Sequence, residues 1–276
     1  MQAIKILFIG GGNMTSALVK GMLNINYPAS ALYVTDRNSS KRDFFATFGV
    51  QVSDIFTGFV PEVDVIILAV KPQNAKEVGH ELAKLLHDKQ TLILSVMAGI
   101  TTHSLQALLG EHLAIVRAMP NTPAKIGVGA TGLFANARVN DIHKQHVELI
   151  TKSVGIIAWL EQEEQLLCVN ALSGSGPAYY FYFMELMATL SQQMGLPTEV
   201  AREFAIQTAY GAAKLALEST DSLAELRGQV TSKGGTTAAA ITAMQQGHLD
   251  DIFKTALEAC CQRAKELATL SHGPSA

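Results

Sequence analysis

Short apolar runs rich in Ile, Leu and Val alternate with amphipathic segments through the first half of the chain. That alternation decides the fold class. The runs fall at residues 4–9, 32–35, 63–69, 91–96 and 113–116, and helical spacing of apolar residues appears at 15–23, 40–48 and 74–86. Strand, helix, strand in repetition predicts an α/β fold, a mostly parallel sheet covered by helices on both faces. Further strands are expected at 128–135 and 155–160, with a helix at 141–154 before the last of them.

After residue 160 the texture changes. Strand-like runs stop, and helical segments follow at 163–172, 177–194, 198–218, 222–230, 236–246 and 250–270. Gly195 supplies a stop and Pro197-Thr198-Glu199 a restart. The expected organisation is an α/β domain over residues 1–160 and an all-helical one over 161–276. The helix opening at Pro177 carries aromatic residues at every position from Tyr179 to Phe183. A helix apolar all round must be covered all round, either inside its own domain or against another subunit. Charged residues make up only 16% of the chain, against roughly 25% in typical soluble proteins, which favours the second reading.

A formal net charge of −3 leaves no basic footprint for nucleic acid. No apolar stretch is long enough to span a membrane. The N-terminal run passes into glycines rather than a cleavage site and reads as mature protein. Cys168, Cys260 and Cys261 form no CxxC spacing, so neither a disulfide framework nor structural zinc is expected, and a cytoplasmic setting fits. His143 and His146 lie in a polar helical stretch and read as surface residues, with no metal site.

The segment Ile6–Ile9 followed by Gly10-Gly11-Gly12-Asn13-Met14-Thr15 takes a buried strand through Gly-x-Gly into a helix. Gly10 permits the tight turn and Gly12 the approach of a pyrophosphate to free helix amides. Thr15 stands at the third fingerprint position. Asp36 closes the second strand, where a carboxylate grips the ribose of NAD. Arg37, Ser39, Ser40, Lys41 and Arg42 follow at once and suit the 2′-phosphate of NADP. The two signals pull in opposite directions; the expected cofactor is NADP(H), with NAD(H) as the open alternative. Two more strands end at the ligand-binding edge, one in Ala69-Val70-Lys71-Pro72 and the next in Val96-Met97-Ala98. The Pro120–Pro123 loop with Asn121 stands at the same edge. Val230-Thr231-Ser232-Lys233-Gly234-Gly235-Thr236-Thr237 opens a later helix with hydroxyls and glycines, a ready site for a carboxylate or phosphate.

Together these segments resemble the pyrroline-5-carboxylate reductase family. The resemblance rests on FIGGGNM at 8–14, LAVKPQ at 68–73, AGIT at 98–101, RAMPNTPA at 117–124, ALSGSGPAYYF at 171–181 and LRGQVTSKGGTTAAAI at 226–241. Thr15, Asn170 and Lys233 stand where the family commonly has a small residue, Thr and Pro. The resemblance implies a Rossmann domain with a helical dimerisation domain, homodimers that associate further into decamers, and reduction of L-1-pyrroline-5-carboxylate to L-proline. Carried over position by position, Thr237 is the catalytic residue, bonding the ring nitrogen. Ser232, Gly234, Gly235, Thr236, Thr237 and Glu163 bind substrate. Gly10 to Thr15, Asp36, Arg37, Ala69 to Pro72, Val96 to Ala98 and Gln229 bind the dinucleotide.

Two other readings are weaker. A β-hydroxyacid-type dehydrogenase needs a lysine facing the nicotinamide, and Lys214 offers itself without an accompanying asparagine motif. A non-catalytic dinucleotide sensor leaves the Ser232–Thr237 turn without a task.

Overall fold

The computed structural model describes residues 3–87 and 89–272. Strands β1 (Ile6–Ile9), β2 (Leu32–Thr35), β3 (Gln51–Ser53), β4 (Val65–Leu68), β5 (Leu92–Ser95), β6 (Ile115–Met119), β7 (Gly129–Ala135) and β8 (Gly155–Trp159) form one sheet in the order 3-2-1-4-5-6-7-8. All neighbours pair in parallel except β6 and β7. Strand order reverses between β1 and β4, so their carboxyl ends bound the crevice where doubly wound sheets bind ligands.

The central strands are buried on both faces because successive side chains alternate between two cores. Ile6, Phe8, Val65, Ile67, Leu92 and Leu94 join one; Leu7, Ile9, Ile66, Leu68 and Ile93 join the other. Helices α1 (Asn13–Asn24) and α5 (Asp141–Lys152) contribute Leu18, Met22, Val147 and Ile150 to the first core. Helices α3 (Ala75–Leu86) and α4 (Thr102–Leu109) contribute Leu82, Leu86, Leu105 and Leu109 to the second. Helix α2 (Ser39–Ala46) is capped by Asn38 and sends Phe45 into the first core.

The sequence reading omits β3. Gln51 is exposed and the strand is an edge of three residues, so it carries neither the length nor the apolar run that marks the others. His143 has a structural task. Its Nδ1 accepts the Asn140 amide, and its own amide donates to the Asn140 side chain, closing a capping box on α5.

The chain divides into two compact units, though not at the expected residue 160. One holds the sheet and everything up to Ser175, together with the residues from Cys260 on; the other is Gly176–Ala259. The reason lies in the segment after β8. Helix α6 (Gln165–Val169) presses Val169 against Gly132 of β7, where a Cβ would meet the valine at 3.0 Å. A π-helical turn, Asn170–Gly174, follows where a helix break was expected. Asn121 donates to the Ser173 carbonyl and hydroxyl and accepts the Ala130 amide, which fastens that turn to the sheet.

The second unit is helical: α7 (Gly176–Gln193), α8 (Thr198–Glu218), α9 (Leu223–Gln229), α10 (Thr236–Gln246) and the first part of α11 (Leu249–His272). Its aromatic face is open in the single chain, with Tyr180 at 70%, Phe181 at 65% and Tyr182 at 61% exposure. Helix α7 is therefore not an internal core helix of its own unit.

Candidate active site

Gly10 leaves β1 with φ +103°, and a Cβ there would lie 2.7 Å from the Ala69 carbonyl oxygen. Only glycine brings the end of β1 this close to the end of β4. Its amide donates to Thr35, and the Ala69 amide donates to Ile9, so the turn is locked to both neighbouring strands. Gly12 is the N-cap of α1 and offers no side chain to the first turn. A Cβ on Gly12 would meet nothing within 4 Å. The amides of Asn13, Met14 and Thr15 thus open toward unfilled space at the positive end of the helix, which suits a pyrophosphate.

The expected dinucleotide residues divide by what they can offer. Thr15 is fully buried, and its hydroxyl donates back to the Gly10 carbonyl, so its side chain shapes the turn. The Gly11 amide is spent on Asp36 Oδ2 at 2.8 Å and is not free for a phosphate. Met97 packs its side chain in the second core, leaving only backbone to face outward. Gly10, Gly12, Asp36, Arg37, Ala69, Val70 and Lys71 share one cavity of about 440 Å³ at the switch point.

Asp36 is heavily engaged. Oδ1 accepts the Asn38 amide at 2.9 Å, and Oδ2 accepts both Gly11 and Lys41 Nζ, the latter at 2.9 Å. Burial opposes ionisation of this carboxyl, but the bonds from Asn38, Lys41 and Gly11 together outweigh it and hold its pKa below the usual value. Arg37 pairs with Glu77 on α3, largely in solvent. Arg42 reaches the carbonyls of Asp36 and Arg37 and braces the loop.

A second cavity, about 890 Å³, lies along the same sheet edge within the first unit. Pro72, Ala98, Gly99, Arg117, Met119 and Glu163 are among the residues around it. Glu163 does not stand free there. Oε1 accepts Arg117 Nη1 at 2.6 Å and the Thr102 amide at 2.7 Å, and Oε2 accepts the Thr102 hydroxyl at 2.8 Å. Three of its roughly four acceptor positions are filled. Thr102 carries no role in the sequence reading, and nothing local in the sequence marks it.

In the second unit the turn before α10 is built as expected. Gly235 is the N-cap, in extended conformation and without a side-chain cap. A Cβ on Gly235 would lie 2.4 Å from Ser232 Oγ, so that hydroxyl folds close over the helix end. Gly234 has φ +74°. Thr236 and Thr237 are exposed. The amides of Thr236 and Thr237 lie in the first turn, where no intrahelical acceptor exists. Gln229 is exposed and donates to Asp221 at 2.7 Å.

The switch-point crevice, its glycine turn and its uncapped helix define a Rossmann-type, dinucleotide-dependent oxidoreductase with an appended helical unit. Residues 163–267 match the family model described as pyrroline-5-carboxylate reductase dimerisation, and residues 5–99 match NADP oxidoreductase coenzyme F420-dependent. The pyrroline-5-carboxylate reductase of Haemophilus influenzae is 41% identical over 98% of this chain and 100% of its own length; that of Pseudomonas aeruginosa is 42% identical over 97% and 98%. The chain belongs to the pyrroline-5-carboxylate reductase family.

Solved structures agree. A pyrroline-5-carboxylate reductase from Coxiella burnetii superposes with a TM-score of 0.93 at 42% identity, covering 96% of this chain and 99% of that one. A Plasmodium falciparum pyrroline carboxylate reductase with NADP bound gives 0.83 at 28% identity, covering 97% and 99%. The family reaction is hydride transfer from NAD(P)H to the C=N bond of L-1-pyrroline-5-carboxylate, giving L-proline, the last step of proline biosynthesis.

Proposed function

We propose that this chain runs the reductase reaction with NADPH as its preferred hydride donor. The observation that supports the coenzyme choice is the state of Asp36. An aspartate that selects NADH needs open acceptor positions for two ribose hydroxyls. Here Lys41, Asn38 and Gly11 occupy Asp36, while Arg37 lies exposed beside it and is held only by a surface pair with Glu77. A 2′-phosphate would draw Arg37 and Lys41 to itself, each a charge-assisted bond.

The coenzyme supplies the hydride; the chain supplies placement. Gly12 and the first amides of α1 hold the pyrophosphate, with Gly10, Asn13, Met14 and the Thr15 backbone forming the turn. Ala69, Val70, Lys71, Pro72, Val96, Met97 and Ala98 would line the dinucleotide, and Gln229 is a further residue assigned to it. The amides of Thr236 and Thr237, with Ser232, Gly234 and Gly235 shaping the turn, bind the substrate carboxylate. Thr237 Oγ1 bonds the ring nitrogen. Its hydroxyl is too weak an acid to be the sole proton source, so its task is orientation of a substrate that arrives as iminium or is protonated through water. Glu163 keeps one acceptor position for the substrate side.

The chain self-associates through its helical segment. We assign the homodimer as the working unit, with a decamer of five dimers as the higher assembly, in the cytoplasm.

Consumption of NADPH and, separately, NADH on adding pyrroline-5-carboxylate tests this reading. The expected outcome is turnover with both and a higher kcat/KM for NADPH. A ratio favouring NADH would return the ribose to Asp36. Absence of turnover despite coenzyme binding would overturn the reaction.

A further inference from the structure

The loop at residues 96–101 leaves β5 at the cavity edge and enters α4, and its two ends are tied by strand pairing at one side and by three linked side chains at the other. Ser95, the last residue of β5, pairs in register with Arg117 of β6. Arg117 binds Glu163, and Glu163 binds both the amide and hydroxyl of Thr102, the first residue of α4. Strand pairing at Ser95 and the bonds of Arg117 to Glu163 and of Glu163 to Thr102 thus close a ring with the loop itself and fix both its ends. Ser95 Oγ also accepts the Met97 amide at 3.3 Å, while Met97 and Ile100 anchor in the core. What remains outward is Ala98 and Gly99, the latter at φ +77°, both on the 890 Å³ cavity.

The ion pair has little solvent to lean on, with side-chain exposures of 9% for Arg117 and 16% for Glu163. A desolvated pair of this kind is weak evidence for added stability, but three bonds to one carboxylate fix its orientation. Glu163 also opens the segment matched to the dimerisation family.

We propose that Thr102, Glu163 and Arg117 are positioning residues that hold the Ala98–Gly99 backbone at the distance hydride transfer requires. The assignment rests on the dinucleotide running past Ala98, as read above. Misplacement by about 1 Å costs up to 10²-fold in rate, so one hydrogen bond in this ring has leverage on kcat.

Removing Arg117 outright would strand a buried carboxylate and risk the fold. Thr102→Val is the sharper variant, because it deletes only the hydroxyl and keeps shape and amide; Thr102→Ser restores the hydroxyl. With NADPH deuterated at the transferred position, Thr102→Val is expected to lower kcat about tenfold, with KM for NADPH within about twofold and a larger primary isotope effect. Thr102→Ser should return both to near the parent values. Hydrogen exchange at 96–101 in the NADPH-loaded protein is expected to rise in Thr102→Val and not in Thr102→Ser. An unchanged kcat and isotope effect, or exchange in Thr102→Val equal to the parent, overturns the clamp. Exchange needs no turnover, so failure of the clamp is distinguishable from failure of the assigned reaction.

Discussion

The two units bury their residues in opposite ways. In the sheet unit, every side chain of β1, β2, β4 and β5 is buried, and the helices close both faces. Among the described residues of Gly176–Ala259, only Gly176, Ala201 and Ala205 are buried, although the segment is rich in Phe, Tyr, Leu and Ile. A contiguous apolar face of this kind is not left to water in a stable protein. The first unit closes its core within one chain; the second leaves its apolar face open, in the segment that matches a dimerisation family.

The largest test of that contrast places charge on the open face. Tyr180→Glu with Phe181→Glu is expected to dissociate the assembly and lower turnover by more than about 100-fold, since the desolvation of each buried charge costs several kcal/mol. NADPH binding, which we assign mainly to residues of the first unit, should largely persist. Light scattering and coenzyme fluorescence read the two separately. An assembly that survives both charges would break the comparison.

Next in size is Thr237→Ala. Loss of one catalytic hydrogen bond lowers kcat by roughly 10- to 100-fold, with the oligomer and coenzyme affinity unchanged. Steady-state kinetics beside light scattering checks both halves. Unaltered turnover would remove Thr237 from the chemistry.

The sheet unit was legible because its signals are local. An apolar run, a glycine turn and a helix start lie within ten residues of each other at β1, and the Lys71-Pro72 stop directly follows β4. β3 escaped because Gln51 and Ser53 carry no apolar pattern. The compact units divide at Ser175 because α6 packs on β7, and helical period says nothing of what a helix packs on. The Glu163 network was unreadable for the same reason: its partners are 61 and 46 residues away in sequence. The glutamate itself was reached only through family resemblance, and the resemblance did not supply Thr102.

Two substitutions sharpen the comparison inside the sheet unit. Gly12→Val places its side chain where the protein has nothing, and the Gly12 backbone at φ −83° accepts any residue. Thermal stability should hold, while NADPH affinity falls about tenfold or more from blocked approach of the pyrophosphate. A fall in stability as large as the fall in affinity would show the glycine to be structural. Arg37→Gln removes an exposed fork expected to hold the 2′-phosphate. The ratio of kcat/KM for NADPH over NADH should fall severalfold to tenfold, with NADH kinetics nearly constant. Equal losses for both coenzymes would place Arg37 in the fold through Glu77 rather than in selection.

The smallest effect tests whether the first unit stands on bonds of its own. The Tyr27 hydroxyl donates to the Ile4 carbonyl at the start of β1. Burial first, then the charge of Asp64, pushes this phenol up to about 12. A folded pKa raised above an unfolded value near 10 contributes stability that is fully present below about pH 10 and is lost as pH climbs toward 12. Tyr27→Phe should therefore cost about 1 kcal/mol near neutral pH, and its deficit against the parent should shrink as alkali ionises the parent's unfolded chain. Urea midpoints at about pH 8 and about pH 11 measure the two ends of that range. The assembly should be the same for both proteins, because the bond is internal to one unit of one chain. A deficit that stays constant across the range would mean that the phenol titrates alike folded and unfolded, and that burial and Asp64 do not raise it.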